Sequence, residues 1–488
     1  MSRFRADEGH GLRLIPGLIL LTVAAVAIHG YSIGVEDQDV YLAAAKKWLD
    51  PSLYPVNAEF FTEQMKASLF IPALSLTARV VGMEWALALW HVTSIFLVLL
   101  GCWRFAALCF SGNHARWAAV LLVTVMLTMP IAGTALYPVD QYLHPRAPAA
   151  AAILLAIAAS LRRRWTRTAI WMAFAAAMHP LMAAFGISLL VFLWIPWRSP
   201  TVIASAVFAL LPWGLFEKVS PAWKEATLAR SYYFPLRWEW YEWLGMVAPV
   251  AFVWWAGRVA RRRGWLALDR IAVRLVAFAV FQFLIAMVMT VPASTIELAA
   301  LQPMRWLHIF YFFFLIIAGG LAGEFLLKRR IWAWFLMFGG LACVMFGVQL
   351  SLFAHSDHIE WPGRAPRNPW AQAFLWIRAN TPRDAVFALD PKYMDLPGEE
   401  AYGFRAWAER SILAEDQKDP GAATVFPEMA PKWLQQVSAQ RGIEKFTAGQ
   451  FEDLRRRFGA DWVLLPGGSK VSLDCPFRNS AAAVCRIH

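Results

Sequence analysis

The first residues able to do chemistry are Glu36, Asp37 and Asp39, in the stretch Gly34-Val35-Glu36-Asp37-Gln38-Asp39-Val40-Tyr41. They follow directly on an apolar run, Leu14 to Ile33. Carboxylates at a membrane face cost desolvation energy unless solvated, paired or metal-bound. On a strand Asp37 and Asp39 would point the same way. In a loop they can converge on a hydroxyl, or on a divalent cation such as Mg or Mn. Carboxylates crowded in low dielectric have raised pKa values, which suits a general base. Two plainer alternatives stand beside this one. The stretch is a solvated helix exit, or Asp39 caps a helix over Val40 to Leu49.

A second set lies downstream. Asp140 sits in Tyr137-Pro138-Val139-Asp140-Gln141-Tyr142-Leu143-His144-Pro145-Arg146. His144 and Arg146 suit an anion such as phosphate, and Arg146 equally suits anchoring its own helix at the interface. His179 precedes Pro180, either as a packed turn residue or as part of a site. Arg230 stands beside the aromatic group at 232–243, which reads as an interface belt or a sugar platform. Arg305 precedes the run Trp306 to Ala318 and either snorkels to headgroups or holds a lipid phosphate.

Composition says which elements must hold these residues. The 488-residue chain is 59% hydrophobic, with 26 Trp, 34 Phe and a mean hydropathy of +0.46. Uncharged runs long enough to span hydrocarbon recur, so the chain reads as a polytopic α-helical membrane protein. The spans are 14–33, 84–110, 116–136, 148–161, 167–178, 181–197, 201–217, 244–258, 272–292, 306–326 and 331–353. That makes about eleven transmembrane helices, several of them short. The Arg-flanked first run reads as an anchor, since no small-residue cleavage site follows it.

The net charge of +12 is not a nucleic-acid signal. From Ala354 onward 17 Lys and Arg balance 17 Asp and Glu. The excess lies in short loops of the membrane half, the positive-inside pattern. Arg3, Arg5 and Arg13 put the N-terminus inside. The clusters Arg162–Arg164, Arg261–Arg263 and Lys328–Arg330 mark further inside loops. All stay inside only if the chain turns back at Met178-His179-Pro180, where Pro removes a donor and restricts its predecessor. His179 then lies near the outer tip of a short helical hairpin. The outer face also receives the first loop, 34–68, and a short interfacial helix, Leu69 to Val81.

From Ala354 the composition turns soluble. Trp370 to Asn380, Pro431 to Gln440 and Ala448 to Phe458 read as helices. Ala385 to Leu389, Ala460 to Leu465 and Val484 to Ile487 read as strands. Residues 354–488 thus form a small α/β domain, placed outside, behind a membrane domain of residues 1–353. Cys475 and Cys485 are ten residues apart there and suit a disulfide in an oxidising compartment. Cys102, Cys109 and Cys343 lie in apolar helices and read as core residues.

This layout resembles the GT-C superfamily of integral membrane glycosyltransferases. An inside N-terminus leads to an acidic first outer loop, an interfacial helix, a second outer acid and an outer α/β tail. Glu36-Asp37-Gln38-Asp39 and Asp140 carry the resemblance. The tail, with Trp376-Ile377-Arg378-Ala379-Asn380-Thr381-Pro382, Asp384-Ala385-Val386-Phe387 and Phe404-Arg405, is similar to that of bacterial members. The resemblance implies a bacterial inner-membrane enzyme moving a sugar from a polyprenyl-phosphate carrier on the periplasmic side. It implies Asp37 or Asp39 as base or metal ligand, with Glu36 and Asp140 in support. His144, Arg146, His179, Arg230 and Arg305 are the expected contacts to the lipid-linked donor. A non-catalytic lipid- or glycan-binding protein of the same layout is the competing expectation.

Overall fold

The computed structural model describes residues 11–195 and 220–487. Its membrane half is helical. Among the described residues five helices are long and apolar enough to cross a membrane: Met83–Cys109, Trp240–Arg262, Leu266–Thr290, Thr295–Leu327 and Ile331–Leu352. The chain is therefore a multi-pass membrane protein, with fewer full-length spans than the eleven expected. Leu14–His29, Arg146–Leu161 and Pro180–Trp194 are apolar but shorter. The expected span 201–217 lies outside the described residues. The expected span 116–136 ends early, as a helix over Asn113–Val125. Pro130 lies just beyond, and the chain from Met126 to Pro145 makes turns instead.

The short helices are held by other protein, as short helices in a membrane must be. Arg146–Leu161 is buried on nearly every side. Its alanines admit close neighbours, and a side chain at Gly101 would meet Leu154 Cβ at 2.7 Å. Trp165–Met178 and Pro180–Trp194 form the expected hairpin. Trp194 comes back to Trp165, with ring centroids 4.9 Å apart, and Arg163 lies 5.9 Å from the Trp194 ring. The expected interfacial helix is Phe70–Val81, burying Phe70, Ile71 and Leu74.

The tail carries five strands: β1 (Val386–Ala388), β2 (Ser411–Ile412), β3 (Trp462–Pro466), β4 (Asp474–Arg478) and β5 (Ala482–Arg486). Their order is β2-β1-β3-β5-β4. β2, β1 and β3 run parallel, and β5 is antiparallel to β3 and β4. Helices Pro369–Asn380, Ala430–Gln440 and Ala448–Phe458 accompany the sheet, close to expectation. Asn368 caps the first by accepting Trp370 N–H and Ala371 N–H. β2 and β4 had no sequence signal: one is two residues long, and the other is an edge strand with polar outward positions. Cys475 and Cys485 are bridged between β4 and β5. Cys102 and Cys109 are buried, but Cys343 is exposed on Ile331–Leu352 and is not a core residue.

The tail is not a separate body. Tyr31 pairs with Ile359 and Val35 with Tyr402 as isolated bridges. Gly403 N–H donates to Gly34 C=O at 2.7 Å, and Glu36 N–H to Ala401 C=O at 2.7 Å. One hydrophobic core runs continuously from the membrane helices to Phe374, Tyr393, Trp407 and Val484 of the tail. The acidic loop therefore lies in a seam between the two halves.

Candidate functional site

The acidic stretch turns sharply before its helix. Glu36 has φ +53, and the helix runs from Gln38 to Leu49. Gln38 staples the turn, accepting Gly34 N–H at 2.6 Å and donating to Leu143 C=O at 3.1 Å. Asp37 is the N-cap residue and Asp39 lies in the first turn, and neither caps with its side chain. Two residues along a helix is about 200° of rotation. Asp37 and Asp39 therefore diverge, where a strand would have aligned them.

Asp39 leaves the site altogether. It is fully buried. Its Oδ2 accepts from Arg405 Nη1 at 3.2 Å and its Oδ1 from Ala406 N–H at 3.0 Å. Burial raises its pKa against the pull of Arg405. The expectation that Asp39 is a base or metal ligand is corrected: it is a buried clasp between loop and tail.

Asp37 keeps its place. Its side chain is 35% exposed. Oδ2 meets His144 Nε2 at 3.3 Å and Arg146 Nη1 at 3.7 Å, and Oδ1 meets Lys418 Nζ at 3.2 Å. Burial pushes the carboxyl up, but Lys418, His144 and Arg146 outweigh it and hold it well below the usual value. The expected raised pKa is thus reversed, because the neighbours are cations and not carboxylates. Glu36 pairs with Lys418 as well and is half-open to solvent.

Asp140 is buried, and both its oxygens accept from Arg146 Nη2 at 3.1 Å. It holds the guanidinium and is not an open acid, which corrects its expected catalytic role. His144 accepts Arg146 N–H at Nδ1, 3.0 Å away, leaving Nε2–H to face Asp37. Its ring packs edge-on to Tyr41 at 4.8 Å and stacks with His179 at 6.1 Å. The hairpin tip thus reaches the site.

Arg305 follows Gln302, which has φ +49. Among the described residues its side chain makes no hydrogen bond or salt bridge. It lies within electrostatic reach of Tyr41, His144, Arg146, His179 and Tyr233. Near it in the chain, Gln302 Oε1 is buried with no hydrogen-bond partner among the described residues. Arg230 is used differently from expectation. Its Nη2 donates to Gln417 C=O and Lys418 C=O, each at 3.0 Å. It anchors the tail loop carrying Lys418 and is corrected from a free substrate contact. The aromatic group divides: Tyr233 and Trp238 are buried, while Trp240 and Tyr241 face outward.

Lys418 was not legible as a site residue. It stands in Glu415-Asp416-Gln417-Lys418-Asp419, a charged stretch with no motif that marks a site. In the fold the Glu415 carboxylate accepts Gln417, Lys418 and Asp419 N–H at 2.6 to 2.7 Å, tightening the loop around itself. That geometry aims Lys418 at Asp37.

The expected divalent cation does not fit these residues. Among the described residues no group of three His, Cys, Asp or Glu gathers as a metal cradle. Asp37 has two cations and a donating histidine around it, and Asp39 is spent on Arg405. The donor set suits an anion or a neutral hydroxyl better than Mg or Mn. No family model matches the chain, and no curated protein matches it either.

Proposed function

We propose that the protein is a GT-C-type membrane glycosyltransferase that moves a sugar from a polyprenyl-phosphate donor to an envelope acceptor. The observation that carries this reading is the part-open Asp37, set between two cations drawn from distant stretches, Arg146 and Lys418. In the proposed reaction the acceptor hydroxyl lies against Asp37. The acceptor oxygen bonds to the anomeric carbon, the carbon–oxygen bond to phosphate breaks, and the hydroxyl proton passes to the carboxylate. Charge grows on the departing phosphate, and the unpaired Arg305 supplies the counter-charge, with Arg146 behind it. A single displacement of this kind inverts the anomeric centre. We place the protein in a bacterial inner membrane, with the N-terminus cytoplasmic and the tail periplasmic, on the charge pattern alone.

One observation favours the competing reading, a non-catalytic binder of lipid phosphate or glycan. Asp37 is held low by its partners, and a carboxylate so paired is a weak proton acceptor. Mass spectrometry of lipid co-purified with the full chain tests both readings. A polyprenyl-phosphate sugar that is consumed by wild type and retained unchanged by Asp37→Asn supports transfer. The same lipid, bound but unchanged in both, supports the binder. No such lipid in either ends both.

A further inference from the structure

A second recess lies across the helix Gln38–Leu49 from Asp37. Its volume is about 460 Å³, within the range of small-molecule pockets. Leu42, Lys46 and Leu49 form one wall, spaced four and three residues apart and so on one helix face. Met83, Glu84 and Trp85, which open the spanning helix Met83–Cys109, form the second. Arg378, Trp407 and Glu409 of the tail form the third.

The recess therefore sits where hydrocarbon gives way to headgroups. Trp85 is 55% exposed, and the adjoining helix Phe70–Val81 turns Leu76 and Val80 outward, 54% and 84% exposed. An amphipathic helix with such an outward face, and Arg79 beside it, lies in the interface.

The lining is mostly apolar but carries charge of both signs. Glu409 is shared by two cations, Lys46 Nζ at 2.7 Å and Arg378 Nε at 3.0 Å. One carboxylate thus serves two positive groups. Glu84 is the reverse case. Among the described residues it makes no salt bridge, and its Oε2 accepts Gly363 N–H. Asp50, also in the lining, is taken by Arg383 and Ser52. A complementary ligand needs an apolar chain, an anion for Lys46 and Arg378, and a hydrogen-bonding cation for Glu84.

We infer that this recess binds a zwitterionic aminophospholipid of the surrounding membrane. The phosphate faces Arg378 and Lys46, the ammonium faces Glu84, and an acyl chain lies along Leu42, Leu49 and Trp407. The site is separate from Asp37 and does not depend on the transfer reading.

The test uses the full chain in nanodiscs of equal parts phosphatidylethanolamine, phosphatidylcholine and phosphatidylglycerol, with retained lipid counted by native mass spectrometry. Wild type should retain phosphatidylethanolamine over the other two by about tenfold, the worth of one charge-assisted hydrogen bond. Glu84→Gln should erase the preference over phosphatidylcholine, whose head cannot donate. Arg378→Gln should weaken retention of both. Leu49→Trp should fill the recess and abolish retention, and Glu84→Gln at the rim carries the test if that variant does not fold. Retention in proportion to bulk composition by wild type overturns the site. A preference for phosphatidylglycerol overturns the assignment of Glu84.

Discussion

Replacing Asp39 separates two roles that its position in the acidic stretch confounds. As a base or metal ligand, it would be needed for chemistry and dispensable for folding. The structure assigns the opposite. Asp39 and Arg405 are both buried, joined at 3.2 Å, and Arg405 also donates to Asp419 at 2.6 Å. The surroundings are close-packed: a side chain at Gly403 would meet Asp39 Cβ at 2.5 Å. Removing one partner of a buried pair costs about 3–5 kcal/mol. Asp419 remains to neutralise Arg405, which puts Asp39→Ala near the lower end, about 3 kcal/mol. Asp39→Asn keeps one acceptor and should cost about 1–2 kcal/mol. Because Asp39 ties the acidic loop to the tail, the loss should appear as undocking. Limited proteolysis of the full chain in nanodiscs should cut within 354–368 faster in Asp39→Ala than in Asp39→Asn, and slowest in wild type. Asp37→Asn should match wild type in that assay. Wild-type protection in Asp39→Ala would refute the clasp. Normal protection with lost sugar transfer in Asp39→Asn would restore the catalytic role.

Three further outcomes follow from the same geometry. Burial raises the Glu360 carboxyl to about 7, so the fold prefers it protonated and its contribution to stability falls as pH rises from 4.5 through 7. That interval is worth about 3 kcal/mol, and a melting series on Glu360→Gln should be flatter across it; an unchanged slope rejects Glu360 as the source. Replacing Cys475 and Cys485 by Ser should cost the tail about 2–3 kcal/mol through the short closed loop, and equal denaturation midpoints with and without reductant would argue against any such contribution. A phosphatase fused after Phe353 should be active and a cytoplasmic fluorescent reporter dark; the reverse would overturn the proposed orientation.

What the sequence disclosed depended on how local the physics was. The helices Pro369–Asn380, Ala430–Gln440 and Ala448–Phe458 carry their periodicity within a dozen residues, and the first and last also carry their N-caps, Asn368 and Thr447. The hairpin at His179 was legible because Pro180 and the basic clusters constrain it from both sides. The spans were overcounted because apolar runs also make buried helices too short to cross, as Arg146–Leu161 shows. Asp140 was read as an acid when its role is to hold Arg146, six residues on. A carboxylate and a guanidinium at that spacing look alike whether they face each other or a ligand.

The site itself turns on a contact that no local pattern announces. Lys418 is 381 residues from Asp37, in a tail that composition separates from the membrane half. Its arrival changes the chemistry of the acidic stretch. Without it, Glu36 would lose its salt bridge and Asp37 would keep only His144 and Arg146. With Lys418 shared by Glu36 and Asp37, Arg146 beside Asp37 and Arg405 on Asp39, every acid has a cationic partner, and Asp37 stays ionised. The tail is therefore not an appendage to a membrane site. It supplies the clasp that orients the acidic helix, through Arg405, and the charge that sets the state of its one open carboxylate, through Lys418. A membrane half expressed alone would keep Asp37, Asp140, His144 and Arg146, yet lose the partner of Asp37 Oδ1 and the buried partner of Asp39 together.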